Sequence, residues 1–137
     1  PESAAAIAST LRRLVTLLLG MTVLMVVALP FLLPAVFGAD FSAAVPYAQV
    51  LAVAFAFLGL KNVLIYLFRA WEINRTAIAA DGLASLVLLA GAFPVVRNWS
   101  ALGMAILVLV AQGTSTAFLL WRFMKYTRIS IRQLARN

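Results

Sequence analysis

The chain carries little with which to do covalent chemistry. It has no His and no Cys, and its acidic residues are Glu2, Asp40, Glu72 and Asp81. That composition removes the commonest zinc and iron ligands, thiol nucleophiles, disulfides and the usual proton switch near neutral pH. No catalytic triad, glycine-rich phosphate loop or metal-ligand cluster is spelled out either, so the reading is of a protein that is not an enzyme and uses no metal or cofactor.

Two ionisable residues nevertheless stand where charge is expensive. Lys61 lies eight residues before Arg69, and Asp81 six residues after Arg75, each inside an apolar stretch. At about 1.5 Å per helical residue they sit about 12 and 9 Å from those polar flanks. A Lys or Asp near the centre of a membrane helix is unfavourable by about 2.5 to 3.5 kcal/mol, so such groups usually face a partner or a watery cavity. Two plainer accounts stay open: the Lys61 stem snorkels to the headgroups, and Asp81 gains from the positive end of its own helix.

Counting from Glu72 gives eleven residues to Lys61 and nine to Asp81, so an antiparallel hairpin brings them to nearly one level. Asn62 beside Lys61, and Ser85 one turn beyond Asp81, could complete polar surroundings. Lys61, Asn62, Asp81 and Gln112 are the candidate substrate-binding residues, and none is expected to be catalytic.

The elements that position them follow from composition. Of 137 residues, 65% are hydrophobic and 11% charged, against about 25% charged in ordinary soluble domains. The apolar residues come in four long blocks, at roughly 14–37, 45–68, 76–96 and 101–121, each long enough to cross a bilayer as a helix. The fold class is therefore an all-α membrane protein with four transmembrane helices in a single membrane region, its partner the lipid bilayer. The +7 charge does not signal nucleic acid, because the basic residues sit at block ends rather than on one soluble face.

Punctuation between the blocks is specific. Pro30 and Pro34 should bend or loosen the end of the first span, and Pro46 stands where a proline opens the second. RAWEINR, residues 69–75, separates the second span from the third. Gly113 with Ala117, Ala111 with Ser115 and Ala80 with Ala84 have the small-xxx-small spacing that lets helices approach closely in lipid, and the run from Gln112 to Thr116 reads as glue between helices. Residues 122–137 alternate basic and apolar side chains, a basic amphipathic cytoplasmic tail suited to anionic headgroups. The chain opens on Pro1 just before a span, which reads as a piece of a longer protein.

At LPFLLPAVFGADFSAA, Leu29 to Ala44, the chain resembles the carboxy-terminal region of bacterial polysaccharide flippases of the multidrug/oligosaccharidyl-lipid/polysaccharide exporter superfamily. Phe37, Gly38 and Phe41 look like that family's Phe-Gly-then-aromatic turn after a proline-bearing helix, and Ala43 and Ala44 like the small residues opening the next one. Leu102, Gly103, Met104 and Ala105 resemble the small-residue opening of a later helix, whereas RAWEINR lacks the glycine-plus-basic turn often seen between the middle helices.

The resemblance implies a fragment of a twelve- to fourteen-helix transporter with two pseudo-symmetric halves. Such a protein works by alternating access in the bacterial cytoplasmic (inner) membrane and moves a polyprenyl-diphosphate-linked oligosaccharide for cell-surface polysaccharide biosynthesis. Its other partners would be the amino-terminal helices of the same full-length protein. A drug/cation exporter of the same superfamily and a four-helix membrane anchor or assembly subunit are the competing expectations.

Charge asymmetry sets the orientation: Arg12, Arg13, Arg69, Arg75 and five basic residues after Trp121 lie on one side, against Arg97 on the other. By the positive-inside rule both ends are cytoplasmic. Single substitutions Asp40→Cys, Asn74→Cys, Asn98→Cys and Gln133→Cys in this Cys-free segment are expected to react with an impermeant thiol reagent in intact cells only at positions 40 and 98. Labelling at 74 and 133 instead would invert the orientation.

Overall fold

The computed structural model describes residues 2–127, and all their regular structure is helical. Helix α1 (Glu2–Phe37) is followed by a 3-10 turn (Ala39–Ala44), helix α2 (Val45–Ala70) and helix α3 (Asn74–Thr127). Four stretches are long and apolar enough to cross a membrane: Ser9–Phe37, Ala39–Ala70, Asn74–Asn98 and Ala101–Tyr126. The last two belong to α3, which is helical throughout but does not run straight. The Ser115 hydroxyl donates to the Ala80 carbonyl at 2.7 Å, although a straight helix would hold residues 35 apart about 50 Å from one another. The path therefore doubles back, and its two apolar legs are separated between Asn98 and Ala101.

Prolines 30 and 34 do not break α1, which continues to Phe37. A proline inside a helix deprives the carbonyl four residues earlier of its donor, and for Pro30 that carbonyl belongs to Val26. Helix α2 supplies the replacement: Gln49 Nε2 donates to Val26 O at 2.9 Å. In lipid, where water cannot serve a stranded carbonyl, a neighbouring side chain is one of the few remedies. The helix ends at Gly38, whose φ of 99° suits a residue without Cβ. Its N–H caps Pro34 O at 2.9 Å, the Phe37 and Phe41 rings pack 5.4 Å apart across the turn, and Pro46 occupies the first turn of α2.

The α2–α3 connection is tighter than RAWEINR suggests, because only Trp71, Glu72 and Ile73 leave the helices. The Ile73 N–H reaches Phe68 O and the Glu72 N–H reaches Arg69 O, both at 2.9 Å. This 6→1 and 5→2 pair is a Schellman cap. Its left-handed position is held by Glu72 at φ 59°, where glycine is usual and another residue costs roughly 1 to 2 kcal/mol. Trp71 and Ile73 pack back against the core and secure the turn.

That core lies at the basic end of the bundle. Leu11 of α1, Leu64, Ile65 and Phe68 of α2, and Ala77, Ala80, Leu119 and Phe123 of α3 form one buried cluster. Helices in lipid gain little from hydrophobic transfer, so close contact and interhelical hydrogen bonds must hold them. Ala80, Ala84, Ala111 and Ser115 are all buried, so two of the small-residue spacings face the interior of the bundle, and the Ser115–Ala80 hydrogen bond joins the legs of α3 there. The third does not, since Ala117 is exposed and nothing lies near Gly113. Residues 122–127, expected in the tail, continue the helix of α3, and the rest of the tail lies outside the described residues. Towards the opposite end α1 exposes large apolar side chains such as Leu24, Phe31 and Val36.

The Gln49–Val26 bond yields a two-residue test. Gln49→Leu is expected to lower stability by about 1 to 3 kcal/mol through the stranded carbonyl, measured as thermal unfolding in detergent. In a Pro30→Ala background the helix regains its own donor, so the same substitution should then be close to neutral. Equal losses in both backgrounds would contradict the assignment.

Candidate functional site

The Schellman turn sets α2 antiparallel to the first leg of α3, and alanines at 77, 80 and 84 on the buried face let the two come close. Asp81 follows Ala80 by one helical step of about 100°, which turns it from the fully buried stripe towards the flank of the hairpin. Lys61 Nζ meets Asp81 Oδ1 at 2.9 Å. The two charges foreseen at one level are thus a hydrogen-bonded ion pair, and the Lys61 stem ends on Asp81 rather than at the headgroups.

The pair is lopsided. Lys61 is 6% exposed, whereas the Asp81 side chain is 53% exposed. An ammonium has three protons to donate and a carboxylate about four lone-pair sites, so one contact leaves most of this capacity unused. Among the described residues it is the only ion pair, and its sequence neighbours Asn62 and Ser85 are also exposed. The arrangement can hold a polar or charged group beside a buried positive charge, or order a file of water. It contains no activated nucleophile.

Gln112 does not join this group. Thr116 Oγ1 lies 3.0 Å from Phe57 O on α2 and 2.7 Å from Gln112 O on its own helix, one hydroxyl proton shared between two carbonyls. The second leg of α3 runs parallel to α2, so Gln112 sits one turn beyond Phe57 in one direction and Lys61 one turn beyond it in the other, about 12 Å apart along the bundle. Gln112 Oε1 is buried without a hydrogen-bond partner among the described residues. The Gln112 to Thr116 run acts mainly as glue: Ser115 ties the legs of α3 together and Thr116 ties the second leg to α2. Sequence reading missed the donor that Gln49 gives α1, although a Gln one turn into a helix opposite a proline-bearing span is a signal that could have located it.

No family model matches the chain, and neither a curated protein nor a solved structure matches it.

The asymmetry of the pair makes its two halves unequal under mutation. Asp81→Ala strands a buried ammonium, a change that costs up to about 3 kcal/mol here, because the pair is half-exposed on the Asp81 side. Lys61→Ala leaves a half-exposed carboxylate and should cost less. Folded yield after extraction is expected to fall in the order wild type, double mutant, Lys61→Ala, Asp81→Ala. A double mutant worse than either single one would show that the pair does not act as a unit.

Proposed function

We propose that this bundle is part of a membrane flippase that translocates a polyprenyl-diphosphate-linked oligosaccharide by alternating access, with no covalent chemistry on the cargo. The observation that carries the reading is the Lys61–Asp81 pair, a buried ammonium holding a half-exposed carboxylate about nine residues into the apolar hairpin. A carboxylate facing hydrocarbon is costly, and a water-filled cavity or further protein beside it removes that cost. The turn residues from Leu29 to Ala44, with the proline-bearing helix before them, add the resemblance to polysaccharide flippases.

Cargo chemistry fits the same surface. Sugar hydroxyls and a diphosphate need a hydrated, hydrogen-bonding wall with positive charge, while the polyprenyl tail stays in the bilayer. On this reading Lys61 attracts the diphosphate, Asp81 keeps Lys61 in place and accepts from sugar hydroxyls, and Asn62 lends an amide at the rim. The apolar faces of α1 serve as contacts for lipid or for the other helices of the transporter.

A strain lacking the gene is expected to accumulate its lipid-linked oligosaccharide on the cytoplasmic face of the inner membrane, measured by protease-free glycan labelling of inverted and right-side-out vesicles. Restoring the wild-type gene should clear it, and Lys61→Ala should clear it at least about tenfold more slowly, the loss of one charge-assisted contact. Normal glycolipids with new sensitivity to cationic drugs would make the protein a drug exporter, and neither phenotype would leave a membrane anchor.

A further inference from the structure

At the basic end, about 8 to 10 Å along the helices from the ion pair, the end of α2, the start of α3 and the end of α3 enclose an open cleft of about 370 Å³ lined by Phe68, Ile73, Thr76, Arg122, Lys125 and Tyr126. We propose that this cleft binds the headgroup of an anionic phospholipid, with the phosphate on Arg122 and Lys125 and the acyl chains leaving along the apolar flank of the bundle.

Three properties of the cleft favour that occupant. Its cations are uncommitted: among the described residues neither Arg122 nor Lys125 forms an ion pair, and Lys125 Nζ rests 5.5 Å from the centre of the Trp121 ring, a contact that leaves its protons free for an anion. Thr76, 3% exposed, also lines the cleft and brings a hydroxyl-bearing side chain to the wall beside the two cations. The volume equals that of roughly a dozen waters, room for a phosphate ester and its glycerol rather than for a lone ion.

The walls are those of a site at the membrane surface. Trp71 stacks on Tyr126 at 5.2 Å and on Phe123 at 6.0 Å, with Phe68 edge-on at 5.9 Å. Such amphipathic rings settle at headgroup depth, and here they brace the Schellman turn against the end of α3. Arg12, Arg13, Arg69 and Arg75 surround the same end as exposed charges, which raises the local concentration of anionic lipid, while the cleft places Arg122, Lys125 and Thr76 around one concavity. Basic pockets between membrane helices on the cytoplasmic side take acidic headgroups for these reasons.

The test uses the full chain in nanodiscs of phosphatidylcholine with graded phosphatidylglycerol, read by native mass spectrometry of retained lipid and by thermal unfolding. Wild type should retain phosphatidylglycerol over phosphatidylcholine and unfold at higher temperature as its fraction rises. Arg122→Gln with Lys125→Gln should weaken that preference about tenfold or more, and Thr76→Val by a smaller factor. Arg12→Gln with Arg13→Gln removes the same charge outside the cleft and should leave most of the preference intact. The proposal fails if the two double mutants behave alike, which would make the effect a diffuse surface field. It also fails if millimolar inorganic phosphate in pure phosphatidylcholine reproduces the whole stabilisation, which would make the ligand a free anion.

Discussion

Hydrocarbon offers no hydrogen bonds, so every polar group that these helices carry into it must find a partner within the protein. In several places where the chain bends a rule of helix geometry or places a polar side chain at depth, a specific neighbour answers. The carbonyl stranded by Pro30 is met by Gln49. The hydroxyls of Ser115 and Thr116 spend themselves on carbonyls of Ala80 and Phe57 and so fasten three helical segments together. Lys61 is met by Asp81. Each of these groups thus acts as a joint, and in a solvent that gives apolar surfaces little reason to associate these joints fix which helix lies beside which.

Two side chains stand outside that pattern, and they differ. Gln112 Oε1 is buried without a partner among the described residues, a local deficit inside the glue between α2 and α3. Asp81 has a partner but keeps half its side chain outside the bundle. Because Asn62 beside Lys61 and Ser85 one turn from Asp81 are exposed as well, the exposure reads as a polar surface that something hydrated or polar adjoins. The tight aromatic core at the basic end and the loosely covered α1 at the other suggest how such a surface is used: one end is a rigid anchor, and the other is free to meet lipid or further helices.

Much of this was legible in the sequence, and the limits are physical. Four spans follow from run lengths of apolar residues, and the common level of Lys61 and Asp81 follows from counting out of one turn. Rotation about each helix does not follow from counting, and it decided which small-residue spacing became an interface: Ala111 with Ser115 did, whereas Gly113 with Ala117 looks outward. The connection at 71–73 was shorter than its charged residues implied, because a Schellman cap needs only one left-handed residue and Glu72 takes that place without being glycine. The Gln49 contact and the cleft at Arg122 and Lys125 join residues distant in sequence, so no local pattern announces them.

The central claim is that the Asp81 side of the hairpin borders water at membrane depth. It is tested most directly by thiol reactivity in native membranes, since only a hydrated cysteine ionises and reacts readily with a polar reagent. With single cysteines placed at Asn62, Ser85 and, as a lipid-facing control, the exposed Leu19 of α1, the account predicts labelling at 62 and 85 by a charged methanethiosulfonate and none at 19. Silence at both 62 and 85, in protein shown to be folded, would contradict it and leave the ion pair as a joint between helices and nothing more.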